Sequence, residues 1–305
     1  MIVLTALLLD LLFGDPPNRF HPTAWMGSLI TLWMRFRPHN HPKMELLFGG
    51  VLVMSGVALF ACAGLVFSKL FELLPVPLAF LAGALLLKIT FSIRSLDRAA
   101  ALVQFALEKN DLPEARRLLA WHLVSRDTSQ LDASHVTAAT IESVAENLSD
   151  SVIAPLLFYV LGGLPLALAY RFVNTADAML GYRDAEYEWV GKVPARLDDL
   201  LNFIPARVTG VLIVIAALMS KNRAVYAWQI MRRDAGLTAS PNAGVPMSAM
   251  SGALGVILEK SGHYCLGIGQ SIPRRLHLGR ARIILRWVAA LAAGLLIPWS
   301  LYAGK

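Results

Sequence analysis

Charge is scarce in this chain. Asp, Glu, Lys and Arg make up 16% of its 305 residues, against roughly 25% in a soluble domain. Hydrophobic residues reach 56%, and mean hydropathy is +0.56. This composition excludes an ordinary cytosolic enzyme and a disordered chain. Only two cysteines occur, which excludes a disulfide scaffold. Cys62 lies inside an apolar run, so no bridge to Cys265 is expected. No strand-like alternation is sustained, no 20–50-residue repeat is visible, and no segment is of low complexity. The nucleotide and hydrolase fingerprints are missing as well: there is no Walker A loop, no G-x-G-x-x-G, no CxxC, no H-E-x-x-H and no G-x-S-x-G. Any nucleotide site is therefore one that these fingerprints do not describe.

What is present is long apolar sequence. Leu46–Phe67 is a clean span without a charge. Pro75–Phe91 reads as a second, with Lys88 near one end where it can snorkel to the interface. Ile283–Ala303 is a third. Val152–Tyr170 is interrupted by Gly162, Gly163 and Pro165, and Val208–Met219 is short. Met1–Phe13 is apolar but short, contains Asp10, and lacks the basic start and small-residue cleavage site of a signal peptide. The net charge of +7 reflects loops held at one membrane face rather than nucleic-acid binding. Segments 14–45, 94–150, 171–207 and 220–282 carry 24 of the 28 Lys and Arg. If the two weak runs do not cross, all four segments share one face, as the positive-inside rule requires.

The expected fold is all-α: a polytopic integral membrane helical bundle with three or four true spans, broken or non-spanning helices, and large helical cytoplasmic loops. Residues 1–305 read as a single membrane-embedded catalytic unit, with 94–150 a helical cytoplasmic insert and 171–282 a motif-rich site region. Within the insert, Leu96, Ala99, Ala100, Val103, Ala106 and Leu107 keep a helical period. Asp111-Leu112-Pro113-Glu114 resembles a capping box opening a second helix to His122.

Polar constellations mark the chemistry. Glu142, Glu146 and Asp150, four apart, fall on one helical ridge. Crowded carboxylates call for a cation, and oxygen donors suit Mg²⁺; the alternatives are a solvated acidic face or an ion pair with nearby arginines. Asn174, Asp177 and Gly181 share a face in the segment from Arg171 to Arg183. Arg196, Asp198, Asp199, Asn202 and Arg207 combine forks for a phosphate with carboxylates for its cation. Ser240-Pro241-Asn242-Ala243-Gly244 is a turn with backbone N–H groups available to an anion. Asp15 and His21 follow the first apolar run.

Four stretches together resemble the adenosylcobinamide-phosphate synthase family of cobalamin biosynthesis, known as CbiB or CobD. They are Asp10–Gly27 (DLLFGDPPNRFHPTAWMG), Arg126–Pro155 (RDTSQLDASHVTAATIESVAENLSDSVIAP), Arg171–Arg207 (RFVNTADAMLGYRDAEYEWVGKVPARLDDLLNFIPAR) and Ser240–Leu254 (SPNAGVPMSAMSGAL). The resemblance implies a multi-pass enzyme of the bacterial cytoplasmic membrane with its active site on the cytoplasmic face. It implies that Mg²⁺ and ATP drive amide formation between adenosylcobyric acid and aminopropanol or its phosphate. The expected partners are the corrinoid, the amine and the lipid bilayer, with no nucleic acid; a second copy of the chain is a further candidate.

On this reading Glu142, Glu146, Asp177, Asp198 and Asp199 are candidates for the metal. Arg196 and Arg207, with Lys192, are candidate clamps. Asn147, Asn174, Asn202, Ser240 and Asn242 would contact substrate or nucleotide. Asp15, His21 or Glu146 would accept the amine's proton. The chain departs from the family where Val245, Pro246 and Met247 stand in place of Trp, Pro and an acid, and where Glu259-Lys260 replaces Gly-Gly. Two competing readings are a non-enzymatic membrane regulator resembling AmpE and a transporter. The survival of the polar motifs argues against the first, and the lack of an inverted repeat against the second.

Overall fold

The computed structural model describes all residues except Asn18, Phe20, Asn40, Arg183 and 303–305, with the side chains of 299–302 also left aside. Arg183 and Ala303, named above, thus lie outside the described residues. Helices α1 (Ile2–Phe13), α2 (Pro22–Met34), α3 (Pro42–Glu72) and α4 (Val76–Lys88) come first. Next come α5 (Arg94–Glu108), α6 (Leu112–His122) and α7 (Ala133–Leu148), the last running through a π-turn at Ser149–Ile153. Then follow α8 (Ala154–Leu180), α9 (Lys192–Leu201), α10 (Phe203–Met219), α11 (Ala224–Asp234) and α12 (Gly244–Leu254). A hairpin of β1 (Leu258–Lys260) and β2 (Tyr264–Leu266) leads to α13 (Arg275–Tyr302). The helical class is as expected. The hairpin is not: its three-residue strands are too short to show alternation in sequence.

Among the described residues, three helical stretches are long and apolar enough to cross a membrane: Pro42–Glu72, Ala133–Leu180 and Arg275–Pro298. Lys192–Leu201 with Phe203–Met219 makes a fourth if the bent pair is one span. The expected number holds, but one assignment changes. Pro75–Phe91 forms only the 13-residue α4, about 20 Å long at 1.5 Å per residue, which is short for a hydrocarbon core of about 30 Å. Lys88 does not snorkel; it is 4% exposed. In exchange the run from Val152 joins a long helix. That helix still breaks where its glycines predict, with non-helical backbone at Gly162 and Gly163.

The chain divides into two compact units. The first holds 1–92, 154–202 and 295–305. Its core packs α2, α3 and α8 through Met26, Ile30, Leu52, Val53, Leu168, Phe172, Val173, Ala176 and Leu180. The Phe172 ring stacks on Phe60 at 5.3 Å and meets Trp33 edge-on. Gly56 makes this approach possible: a Cβ there would lie 2.0 Å from the Phe172 ring.

The second unit holds 93–153 and 203–294. In it α12 is buried along its whole length and packs on α7, α10 and α11. Helices α5 and α6 pack together, and all six periodic residues of α5 are buried as the sequence predicts. Asp111 caps α6 by accepting from Glu114 N–H at 3.0 Å. Asp97 fastens α5 to α13 through Arg282 (2.9 Å) and Arg286 (2.8 Å). Burial pushes the Asp97 carboxyl up, but the two arginines hold it below its ordinary value. Cys62 and Cys265 are both free.

Candidate functional site

In the first unit, α8 and α9 build a buried polar network. Asp198 is 8% exposed and Asn202 2%. Asn202 Nδ2 donates to Asp198 Oδ2 at 2.9 Å, and Asn174 Nδ2 donates to Asp198 Oδ1 at 3.4 Å. Tyr170 O–H donates to Asn202 Oδ1 at 2.9 Å, and Arg171 Nη1 to Asn174 Oδ1 at 3.2 Å. Both oxygens of Asp198 are therefore held, and each amide is oriented in turn. A buried carboxylate requires this saturation. Asn174, Asp198 and Asn202, singled out from the sequence, thus meet. Tyr170 was not anticipated, because its phenol reaches a residue 32 positions away.

Next to this network lies a half-open cavity of about 240 Å³, lined by Gly181, Tyr182, Glu188, Gly191, Lys192, Ala195, Arg196 and Asp199. Lys192 Nζ bonds Glu188 at 3.1 Å and sits over the Trp189 ring. Arg196 approaches Asp199 only to 4.0 Å, and its side chain is 73% exposed. Two cations and two carboxylates therefore face one small volume. Gly181 closes the C-terminal end of α8, and a Cβ there would fall 2.1 Å from Asp177 Oδ1. The spacing Asp177 to Gly181 lets the carboxylate lie against bare backbone.

A second polar cluster of this unit involves Asp15 and His21. Lys88 Nζ lies 2.5 Å from Asp15 Oδ1 and 3.4 Å from Asp10 Oδ1. Ser92 donates to Asp15 Oδ2 at 2.5 Å. His21 caps α2, its Nδ1 accepting from Thr23 N–H at 3.3 Å, while Nε2 lies 3.9 Å from Asp15. Accepting at Nδ1 sets the neutral tautomer with hydrogen on Nε2. Burial pushes the His21 pKa down, against Asp15, which raises it, and together with Arg171 and Lys88. Lys88 and Ser92 were missed as site residues, because an apolar run with one terminal lysine reads as a snorkelling span.

In the second unit, Glu142 on α7 is 5% exposed. Its Oε1 is buried and makes no hydrogen bond, and its Oε2 lies 3.7 Å from Arg126 Nη2. The ion pair with an arginine, one of the alternatives to a metal, is present, yet it leaves Oε1 without a hydrogen bond. Tyr264 of β2 faces the same carboxylate, and its phenol also donates to Met247 Sδ at 3.8 Å. Burial, then the charges of Glu142 and Glu146, push the Tyr264 phenol well above its usual range. Glu146 is half-buried one turn beyond Glu142. Asn147 donates to Ser143 O at 2.9 Å and accepts from Ser151 at 3.0 Å. Asp150 falls in the π-turn, a feature common at functional sites, which breaks the regular i,i+4 ridge. Of the departures, Met247 is 2% exposed, and Glu259 and Lys260 form β1 opposite Cys265 and Tyr264.

The Ser240–Gly244 turn differs from expectation. Ser240 Oγ accepts from Asn242 N–H (3.2 Å) and Ala243 N–H (3.4 Å), so these groups are satisfied within the turn rather than available to an anion. Arg207 is likewise committed: Nη1 donates to Asn242 Oδ1 at 2.7 Å, and the guanidinium lies 3.6 Å from the Phe203 ring centroid. Nearby, Asp234 is bonded by Arg233 Nε at 2.5 Å and by Gly267 N–H at 2.7 Å. These contacts, opposing burial, hold its carboxyl below the usual range.

Among the described residues no three or more His, Cys, Asp or Glu side chains gather into a metal-binding group. Mg²⁺ asks for less, typically one or two carboxylates plus substrate phosphates. The partnerless buried oxygen of Glu142 and the position of Asp199 on the cavity wall each fit that demand.

The sequence profile described as CobD/Cbib protein matches residues 3–283. A cobalamin biosynthesis protein CobD of Dehalococcoides mccartyi is 44% identical over 267 residues, covering 88% of this chain and 86% of the relative. A probable cobalamin biosynthesis protein CobD of Methanothermobacter thermautotrophicus is 42% identical over 303 residues, covering 97% and 98%. A cobalamin biosynthesis protein CobD of Klebsiella pneumoniae is 38% identical over 276 residues, covering 88% and 84%. No solved structure matches. With the family profile running across most of its length and relatives of near-equal extent, the chain belongs to the CobD/Cbib family, whose curated relatives are named for cobalamin biosynthesis.

Proposed function

We propose that the chain is an ATP-dependent amide ligase that joins adenosylcobyric acid to aminopropanol or its phosphate at the cytoplasmic face of the bacterial inner membrane. The observation that carries this reading is the cavity beside α9. It offers Lys192 and Arg196 to anionic oxygens and Asp199 to a cation, next to an Asp198 already oriented by Asn174 and Asn202.

A carboxylate is a poor acylating agent, so the reaction begins by transferring the γ-phosphoryl group of ATP to the corrinoid's free carboxylate. An acyl phosphate and ADP result. The amine nitrogen then attacks the acyl carbon, the bond to the phosphate oxygen breaks, and inorganic phosphate leaves. The protein's task in phosphoryl transfer is positioning and charge stabilisation rather than covalent chemistry. Lys192 and Arg196 would meet phosphoryl oxygens, Arg by its planar fork and Lys as a point charge. Asp199, with Asp198 beside it, would hold Mg²⁺; when bound, the ion neutralises charge on the phosphates. In the second unit, Glu142 and Glu146 are the alternative pair. Asp15, His21 and Glu146 are the candidates to accept the amine's proton. His21 would do so only by giving up the Thr23 bond at Nδ1.

Purified protein in detergent, given adenosylcobyric acid, Mg·ATP and either amine, provides the test. The ligase reading requires amide product by mass spectrometry that disappears when ATP or the amine is omitted. Folded protein that makes no product and binds neither ATP nor corrinoid would remove it.

A further inference from the structure

Two segments of the second unit adjoin candidate membrane spans, α13 by itself and α10 only when taken with α9, and share an unusual composition. One is 220–238, which follows α10; the other is 267–282, which opens α13. Together they carry eight Lys and Arg and a single acid, Asp234. That acid is 2% exposed and bonded to Arg233 and Gly267, and Arg282 is paired with Asp97 outside the two segments, so six of the eight cations make no ion pair with a described residue. Helix α11 shows the arrangement most clearly. Ala227, Ile230, Met231 and Asp234 are buried, on the side that packs against α10 and α12. The opposite stripe presents Val225 (67% exposed), Trp228 (45%) and, one turn on, Arg232, at the i, i+3, i+7 spacing of a single helix face.

The second segment continues this surface. Arg223 donates to Gln270 Oε1 at 2.8 Å and Arg233 to Ile268 O at 3.3 Å, so the loop lies alongside α11. It exposes Ile268 (62%) and Ile272 (64%). In water these isoleucines, Val225 and Trp228 would be costly to leave uncovered. At a membrane interface they are the expected partners of basic side chains, with apolar groups entering the acyl boundary and arginines meeting phosphates. Chain connectivity limits the alternatives. Four residues separate the end of α10 at Met219 from Ala224, a reach of about 17 Å even when extended.

We propose that α11 and the 267–276 loop form an interfacial anchor that lies on the bilayer surface and prefers anionic lipid headgroups. The anchor would brace the second unit against the leaflet where α10 and α13 enter, independently of the ligase reading.

The test places a nitroxide at Val225 (V225C with C62S and C265S) in lipid nanodiscs of phosphatidylcholine with or without phosphatidylglycerol. The expected result is an oxygen-to-nickel-chelate accessibility ratio several-fold above that of a fully aqueous label, rising further with phosphatidylglycerol. R232Q, which alters an exposed side chain, should weaken the response to anionic lipid several-fold. A Val225 label as open to the chelate as an aqueous nitroxide overturns the anchor. A ratio indifferent to phosphatidylglycerol and to R232Q overturns the headgroup preference and with it the proposal.

Discussion

The two units treat a buried carboxylate in opposite ways. In the first, Asp198 has both oxygens taken by amides that are themselves fixed by Tyr170 and Arg171. In the second, Glu142 has a distant arginine and the Tyr264 phenol as its partners, and its Oε1 makes no close hydrogen bond. A saturated carboxylate is oriented before any ligand arrives, and its geometry costs little to maintain. A half-satisfied one stores a desolvation cost that a ligand can relieve. The contrast suggests different duties: preorganisation around Asp198, with the cavity of Lys192, Arg196 and Asp199 next to it, and ligand-dependent completion around Glu142.

Four expected outcomes would break or sharpen that comparison. The largest concerns how far the first unit depends on polar burial. Lys88→Met would leave Asp10 and Asp15 without their lysine and lower stability by about 3–5 kcal/mol, read as a fall in the unfolding midpoint in detergent. An unchanged midpoint would mean that this cluster is not a structural element. Next, Asp198→Asn keeps the side-chain shape but removes the charge that the two amides orient. Its turnover should fall on the order of 100-fold with the helical circular dichroism signal intact, and Glu142→Gln should fall less. Equal losses would erase the distinction between the units.

Tyr264→Phe tests the less satisfied side. The hydroxyl's contact with the Met247 sulfur is long, so the loss of stability should be at the low end of about 0.5–1.5 kcal/mol. A turnover loss exceeding that of Asp198→Asn would move the catalytic centre to the second unit. The smallest effect belongs to His21. Burial lowers its pKa in the folded protein from an ordinary value near 6.5, so the unfolded chain takes up the proton more readily. Stability is then complete above that ordinary value and is lost as pH falls through it toward the lowered folded value. The wild-type midpoint should drop more between about pH 7.5 and about pH 5.5 than that of His21→Asn, which keeps a capping side chain. Parallel curves would remove His21 from the account.

What could be read from sequence followed the range of the interaction. The buried stripe of α5 and the Asp111 cap are decided within a turn or two of helix, and both were legible to the residue. The break at Gly162 and Gly163 was legible for the same reason, since glycine and proline act on local backbone. Asn174, Asp198 and Asn202 stood out as polar groups in apolar surroundings, although only folding brings Asn174 to Asp198. Lys88 failed because its partners lie about 75 residues away, and a charge at the end of an apolar run has an easy local explanation. Tyr264 failed similarly: nothing in its own segment links it to Glu142. The Ser240 turn was identified as a turn, but its N–H groups were taken up by its own serine, an outcome decided by one rotamer.

The central claim, activation of a carboxylate by phosphoryl transfer, has a direct measurement. Adenosylcobyric acid carrying ¹⁸O in its free carboxylate would be turned over with unlabelled ATP, and the released inorganic phosphate analysed by mass. The account predicts one ¹⁸O in the phosphate for each amide formed, because the acyl carbon–oxygen bond breaks when the amine attacks. Amide formed with unlabelled phosphate would contradict it.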